Sequence, residues 1–490
     1  MDNIKKTLKD KKLYIFLMIT LVFFGIFAKM DFATDTYAVI GNAKDSIMAN
    51  FLQSGRIVTA ICWKMICIIN IPIDIVYAIS FILAIISVTL SLHKLYNIIK
   101  EDVKSDIIAI ILATVIIINP FSIELFMYIE KGIITLSILA CIYALDFFIK
   151  YIQGKDKKKN LIFSTFFMLL SIFCYQGVPA LFVAIATIYI FKYSDSFIKF
   201  AKHLIITLII YGIPAVINFI TVRFVFTGHR VDGSINISGT ISKLIDGCKN
   251  MVATYQILPK YFYVICLAII VVIALIIVIK RKSFTEIFKI SFIGFMTILM
   301  TILPQAMQNT ESIWFVSRST YAFASLAGIL ELYCLMLIYN KNEKGTESIL
   351  ALCLTGLTLV ILIVQFYRFN YIEIDHYNSN YYDEVTAIEI GDLIKKYQDE
   401  SGKKVNKISI YKDSKPRFTN NRIFATGDIN VSAFATDWSD VNSINYYNNL
   451  KLEKIANDET KKEEFLKKNW DFFSEEQIIF EDDTVHICVY

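Results

Sequence analysis

Residues 29–56 read KMDFATDTYAVIGNAKDSIMANFLQSGR, and this stretch separates two apolar segments of the chain. The first apolar segment ends at Ala28, and two carboxylates, Asp31 and Asp35, follow at once. Carboxylates this close to a hydrocarbon layer are costly unless they are paired, hydrated or used in function. The stretch therefore predicts a polar loop after a first transmembrane helix, and we expect it to border a site on the outer face of a membrane.

The composition supports a membrane protein. The chain has 490 residues, of which 56% are hydrophobic, and its net charge is only +5. Apolar runs of about 17–22 residues recur, which is the length that crosses a hydrocarbon core of ~30 Å. Backbone groups in lipid must bond within their own segment, so the runs are helices. The fold class predicted is an all-α polytopic membrane bundle. Nucleic acid is not an expected partner, because no long basic run is present.

Hydropathy predicts about eleven transmembrane helices. The predicted spans are 13–30, 73–93, 106–121, 132–150, 160–174, 178–192, 203–226, 261–280, 286–304, 320–339 and 348–369. Residues 57–71 are apolar but short, and Trp63 and Lys64 lie within them. We interpret this segment as an amphipathic helix on the outer leaflet.

Lysine placement sets the orientation. With 57–71 at the interface, the lysine-dense stretches KKTLKDKK, KDKKK and KRK all fall on one side, which the positive-inside rule makes cytoplasmic. The N-terminus is then inside, the first helix is a retained span, and the C-terminal tail is outside. Residue usage rich in Ile, Lys and Asn suggests a bacterium, so the location predicted is the bacterial cytoplasmic membrane.

The chain changes character after Phe369. Residues 370–490 are polar and rich in Asn, Asp, Lys and Tyr. DEVTAIEIGDLIKKYQDE has helical spacing with Gly402 as a candidate stop, whereas NKISIYKD, NRIFATGDINVSAF and QIIFEDDTVHICVY alternate like strands. The predicted domains are therefore a membrane domain of residues 1–369 and a small extracytoplasmic α/β domain of residues 370–490.

The predicted outer loops carry polar residues that a purely structural membrane protein would not need. Arginines suit a phosphate, aromatic rings suit a sugar face, and a carboxylate suits a general base, so the mixture fits a sugar phosphate. The candidate binding residues are Arg56, Glu124, Glu130, Tyr175, Gln176, Arg230 and Arg318.

The sequence also narrows the donor and the cofactors. It has no GxGxxG after a strand and no Walker A motif, and the predicted cytoplasmic loops are short. A lipid-linked sugar phosphate, reached from the bilayer, is the donor expected in place of a nucleotide sugar. The nine cysteines are scattered without metal-ligand spacing, so neither a disulfide framework nor a zinc site is predicted.

Several motifs resemble the GtrII-type glucosyltransferases, membrane enzymes of the GT-C class. The motifs are Asp35-Thr36-Tyr37, Gly55-Arg56, Asn119-Pro120-Phe121 with Glu124 and Tyr128, Tyr175-Gln176, and Arg318 before a late span. The resemblance covers the membrane part of the chain, and only loosely the tail.

This resemblance implies transfer of a hexose, usually glucose, from undecaprenyl phosphate to a surface glycan on the outer face of the membrane. GT-C enzymes place a catalytic aspartate in the first outer loop, which corresponds to Asp35 here. Family members often have paired acids where this chain has Thr34-Asp35, so Asp31 is a candidate for part of that role. The departure leaves the use of a divalent cation open.

Two other functions fit parts of the pattern. A transporter or flippase of a lipid-linked saccharide would place charges at mid-membrane and show repeated halves, and we find no internal repeat. A surface-glycan polymerase or ligase would share the outer arginines, so the sequence separates it poorly from a single-sugar transferase.

Overall fold

A computed structural model describes residues 9–41, 44–103, 105–227, 236–339, 346–412, 424–468, 470 and 474–489. Contacts divide the chain into two compact units. We call the first, up to Ala28 and then Met48–Phe369, the membrane unit, and the second, Lys29–Ile47 with Asn370–Tyr490, the tail unit. The predicted membrane domain therefore differs from the membrane unit by the segment Lys29–Ile47.

Helices dominate the described residues. The α-helices are α1 (Lys11–Phe24), α2 (Thr34–Gly41), α3 (Lys44–Gln53), α4 (Ile57–Ile69), α5 (Ile73–Val103), α6 (Asp106–Ile117), α7 (Lys131–Ile152), α8 (Lys157–Cys174), α9 (Ala180–Tyr193), α10 (Phe197–Ile220), α11 (Ile237–Val252), α12 (Phe262–Arg281), α13 (Thr285–Ala306), α14 (Tyr321–Ala324), α15 (Leu326–Tyr339), α16 (Thr346–Ser401), α17 (Asp440–Asn448) and α18 (Glu459–Phe465). Short 3₁₀ helices cover Gly25–Ala28, Pro120–Phe126, Thr254–Gln256, Thr310–Ser312, Ser317–Thr320, Ala433–Ala435 and Glu475–Gln477, and a π-helical turn covers Thr221–Val225.

The described residues include eight helices that are long and apolar enough to cross a membrane, or nine if α6 and the 3₁₀ helix after it form one span bent by 59°. The chain is thus a multi-pass membrane protein, and the predicted count of about eleven is not confirmed. The difference lies in α8, whose first turn carries three lysines, and in α9, which has 14 residues and is only about 21 Å long. The predicted interfacial segment does form a helix, α4.

The core of the membrane unit is built around α9. Every residue from Ala180 to Ile190 is buried, and the helix packs against α7 and α13. An apolar helix in a membrane protein can face either lipid or other helices, and the burial of α9 on all sides shows that it faces other helices. α9 is therefore a short helix that lies in the interior of the bundle.

Segments predicted to share a membrane face contact one another. On the predicted inner side, His93 Nε2 lies 2.9 Å from Asp10 Oδ2, Lys94 Nζ lies 2.8 Å from Asp146 Oδ2, and Lys192 pairs with Asp102. The predicted outer segments meet at the other ends of the same helices, which we call the outer end. The assignment of either end to the cytoplasm remains a prediction.

The tail unit contains a four-stranded sheet of order β2-β1-β4-β3, with β1 (Lys407–Lys412), β2 (Glu453–Lys454), β3 (Ile478–Glu481) and β4 (Thr484–Val489). β1 is parallel to β2 and β4, whereas β3 is antiparallel to β4. Apolar residues of α16 such as Ile390 and Ile394 pack with Ile408 and Ile487 of the sheet in one core. α16 ends at Ser401 before Gly402, whose φ of +70° is left-handed and favours glycine.

Two expectations about local structure are wrong, the loop at 29–56 and the strand at 421–434. The predicted loop of residues 29–56 is largely helical in its described part, as α2 and α3. α16 runs through Phe369 without a break, because residues 370–382 contain no glycine or proline to stop a helix. The described part of the predicted strand at 421–434 has one isolated bridge, Thr426 to Ile429, and a 3₁₀ turn. Asp383 accepts hydrogen bonds from Ser432 Oγ (2.6 Å) and Ala433 N (2.7 Å), which favours the turn over a ladder.

Candidate functional site

The site at the outer end begins with the 3₁₀ helix Pro120–Phe126. Asn119 caps it, since its Oδ1 accepts a hydrogen bond of 2.9 Å from the backbone N of Phe121, and Pro120 occupies the first position, where no N–H is needed. The amide of Asn119 also donates to Ser325 Oγ at 2.9 Å. The turn is therefore anchored at its start, and it places Glu124 inside the bundle.

Glu124 and Arg318 form a buried ion pair. The Glu124 carboxylate accepts hydrogen bonds from the Arg318 backbone N (2.7 Å), Tyr128 OH (3.3 Å), Ser317 Oγ and the Arg318 guanidinium. The guanidinium carbon also lies 4.4 Å from the ring centre of Tyr128. A carboxylate has about four lone-pair sites, so these donors saturate it. Because Glu124 is 1% and Arg318 6% exposed, the geometry favours a structural clamp between the two 3₁₀ helices.

A second ion pair joins Arg56 and Glu130. Arg56 Nη1 lies 2.9 Å from Glu130 Oε1, and its guanidinium carbon lies 5.2 Å from the ring centre of Tyr175. Among the described residues, Glu130 is the one hydrogen-bond acceptor of this guanidinium, which carries five N–H donors. Arg56 therefore retains donors for a bound anion, whereas the guanidinium of Arg318 is buried against both Glu124 and Tyr128.

The tight turn at Tyr175–Gly177 connects the two ion pairs. Tyr175 lies against Arg56, and Gln176 Nε2 donates to the carbonyl oxygen of Ser54 at 3.1 Å. A Cβ at Gly177 would overlap the carbonyl oxygen of Arg318, so the turn touches the second 3₁₀ helix directly. Six of the predicted residues are thus brought together: Arg56, Glu124, Glu130, Tyr175, Gln176 and Arg318.

Two cavities lie on either side of the segment that leads to Arg56. One, of about 300 Å³, is almost wholly apolar, is lined by α4 and α5 and includes Phe51 and Glu130. The other, of about 340 Å³, lies between α10 and α13. We call it the amide groove, because the side chains of Gln53, Gln176, Asn218 and Gln308 line it together with Ser54, whereas the rest of its lining is mainly apolar.

Three predicted residues, Asp31, Asp35 and Arg230, belong to other parts of the chain. Asp31 and Asp35 belong to the tail unit, and Asp35 sits in the first turn of α2 with a half-buried side chain. Asp31 Oδ1 lies 3.9 Å from Lys29 Nζ, which in turn lies 3.1 Å from the ring centre of Tyr377. Arg230 and its neighbour His229 fall in residues 228–235, outside the described residues.

Sequence reasoning missed several groups that the fold adds to the site. Ser317 binds Glu124, Ser54 binds Gln176, and Asn218 lines the amide groove. Asn218 had a detectable signal, since it is an amide inside the apolar run 203–226. The two serines had none, because their partners are distant in sequence. The described residues contain no group of three or more His, Cys, Asp or Glu with metal-binding geometry, and the use of a cation stays open.

No protein-family model matches this chain, and no curated protein is significantly similar to it. The geometry of the site and the motifs of the sequence are therefore the two indications of function for this chain.

Proposed function

We propose that this protein is a membrane glycosyltransferase that moves a hexose, glucose by resemblance, from a polyprenyl phosphate to a surface glycan on the outer face of the membrane. The observation that carries the proposal is the convergence at the outer end: an arginine with unused donors, amides and an aromatic ring meet beside two apolar cavities. Lipid phosphates have one charged end and a long apolar chain, so they match both parts of this arrangement.

In the proposed reaction an acceptor hydroxyl attacks the anomeric carbon of the donor sugar. The bond from that carbon to the phosphate oxygen breaks, and polyprenyl phosphate leaves. Asp35 takes the hydroxyl proton as general base. Arg56 donates hydrogen bonds to the departing phosphate and offsets its charge.

The proposal gives Arg318 a different task from Arg56. Its guanidinium is buried against Glu124 and Tyr128, so Arg318 acts as a positioning residue that holds the turn carrying Gly177. The tail unit, in this proposal, helps to bind the acceptor glycan.

The test uses purified full-length protein with radiolabelled polyprenyl phosphate glucose and a surface-glycan acceptor. We expect addition of single glucose residues, and loss of transfer in Asp35→Asn with unchanged membrane insertion. Asp246→Asn is the control, because Asp246 is an exposed acid paired with Lys249. Chain growth would indicate a polymerase instead, passage of the lipid across vesicles without transfer would indicate a flippase, and an active Asp35→Asn would exclude the base role.

A further inference from the structure

The amide groove has hydrogen-bond acceptors that no group in the described part of the chain satisfies. Asn218 is 8% exposed, and its Oδ1 has no hydrogen-bond partner among the described residues. The same holds for Gln308 Oε1, although Gln308 Nε2 donates to Gln305 Oε1 at 3.2 Å. A buried acceptor that is left without a hydrogen bond is destabilising, so two of them in one cavity favour a ligand that donates hydrogen bonds.

The rest of the groove fits an apolar chain. From Asn218 its lining follows α10 back to Leu208, a distance of about 15 Å along the helix axis. Gly212 lies on this path, and a Cβ built there would have no atom within 4 Å, so the groove is open at that point. Apolar residues of α13, such as Met300 and Leu303, form the opposite wall.

We infer that the amide groove binds the glycosylated end of a lipid, with Asn218 and Gln308 accepting hydrogen bonds from sugar hydroxyls and the apolar part holding the first segment of the lipid chain. Hydroxyl groups are the natural donors for amide oxygens, whereas a bare phosphate monoester offers few. Asn218 and Gln308 are then residues that distinguish a sugar-bearing lipid from the same lipid without sugar. Its identity as the transferase donor depends on the proposed function, but its binding does not.

The position of Gly55 places the groove next to Arg56. A Cβ at Gly55 would lie 2.7 Å from Asn218 Nδ2 and 2.7 Å from Gln176 Nε2, so the backbone just before Arg56 touches the amide end of the groove. The sugar-phosphate end of a lipid held by the amides would therefore lie at the end of the groove nearest Arg56.

The test measures binding of two probes, polyprenyl phosphate glucose and polyprenyl phosphate, to the full-length protein in detergent. Wild type should prefer the glucosylated lipid. Asn218→Leu, which keeps the branched shape of the side chain and removes its amide, should lower the affinity for the glucosylated lipid about 2–10-fold, the range for one hydrogen bond, and leave binding of the sugar-free lipid unchanged. Gln256→Ala is the control, because Gln256 is exposed and does not line the groove.

A second pair of variants fills the apolar part. Gly212→Leu should weaken binding of both lipids at least tenfold, whereas Gly294→Leu, which also has open space around its Cβ but lies outside the groove, should bind like wild type. Equal binding by wild type, Asn218→Leu and Gly212→Leu would overturn the inference. If these variants bind equally and also transfer glucose normally, the groove is excluded as the lipid-binding site, while the proposed transferase function is retained. If the lipids bind as predicted but no glucose is transferred by wild type, the binding site is retained and the proposed transferase function is excluded.

Discussion

Removing the charge of Glu124 should destabilise the membrane unit strongly. In Glu124→Gln, the Arg318 guanidinium stays buried, at 6% exposure, without a counter-charge, and the new amide group presents N–H donors to Ser317 and to the Arg318 backbone. Breaking a buried pair in this way costs about 3–5 kcal/mol. The matched control is Glu311→Gln, since Glu311 pairs with Lys243 at 3.3 Å but its side chain is 90% exposed, and such pairs contribute about 0–1 kcal/mol.

The assay is a double-mutant cycle on the free energy of unfolding of the detergent-solubilised full-length protein. Arg318→Met removes the other charge and keeps a long side chain. Because the double variant leaves neither charge alone in the core, it should lose less stability than the two single variants added together. Additive losses, or a cost for Glu124→Gln no larger than that of Glu311→Gln, would refute the buried-pair reasoning.

Three further predictions test other features. Gly177→Ala should lower the free energy of unfolding by about 1–3 kcal/mol and reduce glucose transfer, because the new Cβ overlaps the backbone carbonyl of Arg318. Gly294→Ala is the control, because it has open space around its Cβ and should change neither quantity. Thermal unfolding and transfer assays measure both. Glu331→Gln should leave the free energy of unfolding unchanged or raise it. Glu331 is buried, accepts a hydrogen bond from Thr358 and has no cation paired with it in the described part of the chain. A loss of stability as large as that of Glu124→Gln would contradict this prediction. Burial lowers the pKa of His486 below its usual value of about 6.5, so the unfolded tail unit binds a proton first and stability should fall as pH drops through 6.5, a dependence that limited proteolysis can follow and that His486→Gln should reduce.

Some local features could be predicted because they depend on neighbouring residues. Apolar runs long enough for a bilayer marked most of the long helices, and Gly402 marked the end of α16. Failures occurred where local signals were weak. The chain becomes polar after Phe369, yet residues 370–382 continue α16. Their polar side chains have buried partners, since His376 Nδ1 lies 3.1 Å from Asn430 Oδ1.

The candidate site shows the same division. Hydropathy and lysine placement assigned arginines, acids and amides to the predicted outer loops, but they could not distinguish the role of Arg56 from that of Arg318. The fold makes that distinction. Glu124 balances the charge of Arg318, and the same guanidinium donates to Tyr128, whereas Arg56 makes one hydrogen bond, to Glu130, in the described structure. The fold also assigns Lys29–Ile47 to the tail unit, whereas the sequence predicted that this segment belongs to the membrane domain.

The sequence by itself determined that this chain is a helical membrane protein, since the hydropathy and length of each run are properties of contiguous residues. Only the tertiary structure decided which polar groups are consumed by the fold and which remain for a ligand. Glu124 meets Arg318 across 194 positions, while Asn218 and Gln308 face one cavity from separate parts of the chain. Such pairing depends on how distant helices pack, because a hydrogen bond needs atoms within about 3 Å of each other, and no local pattern encodes that distance.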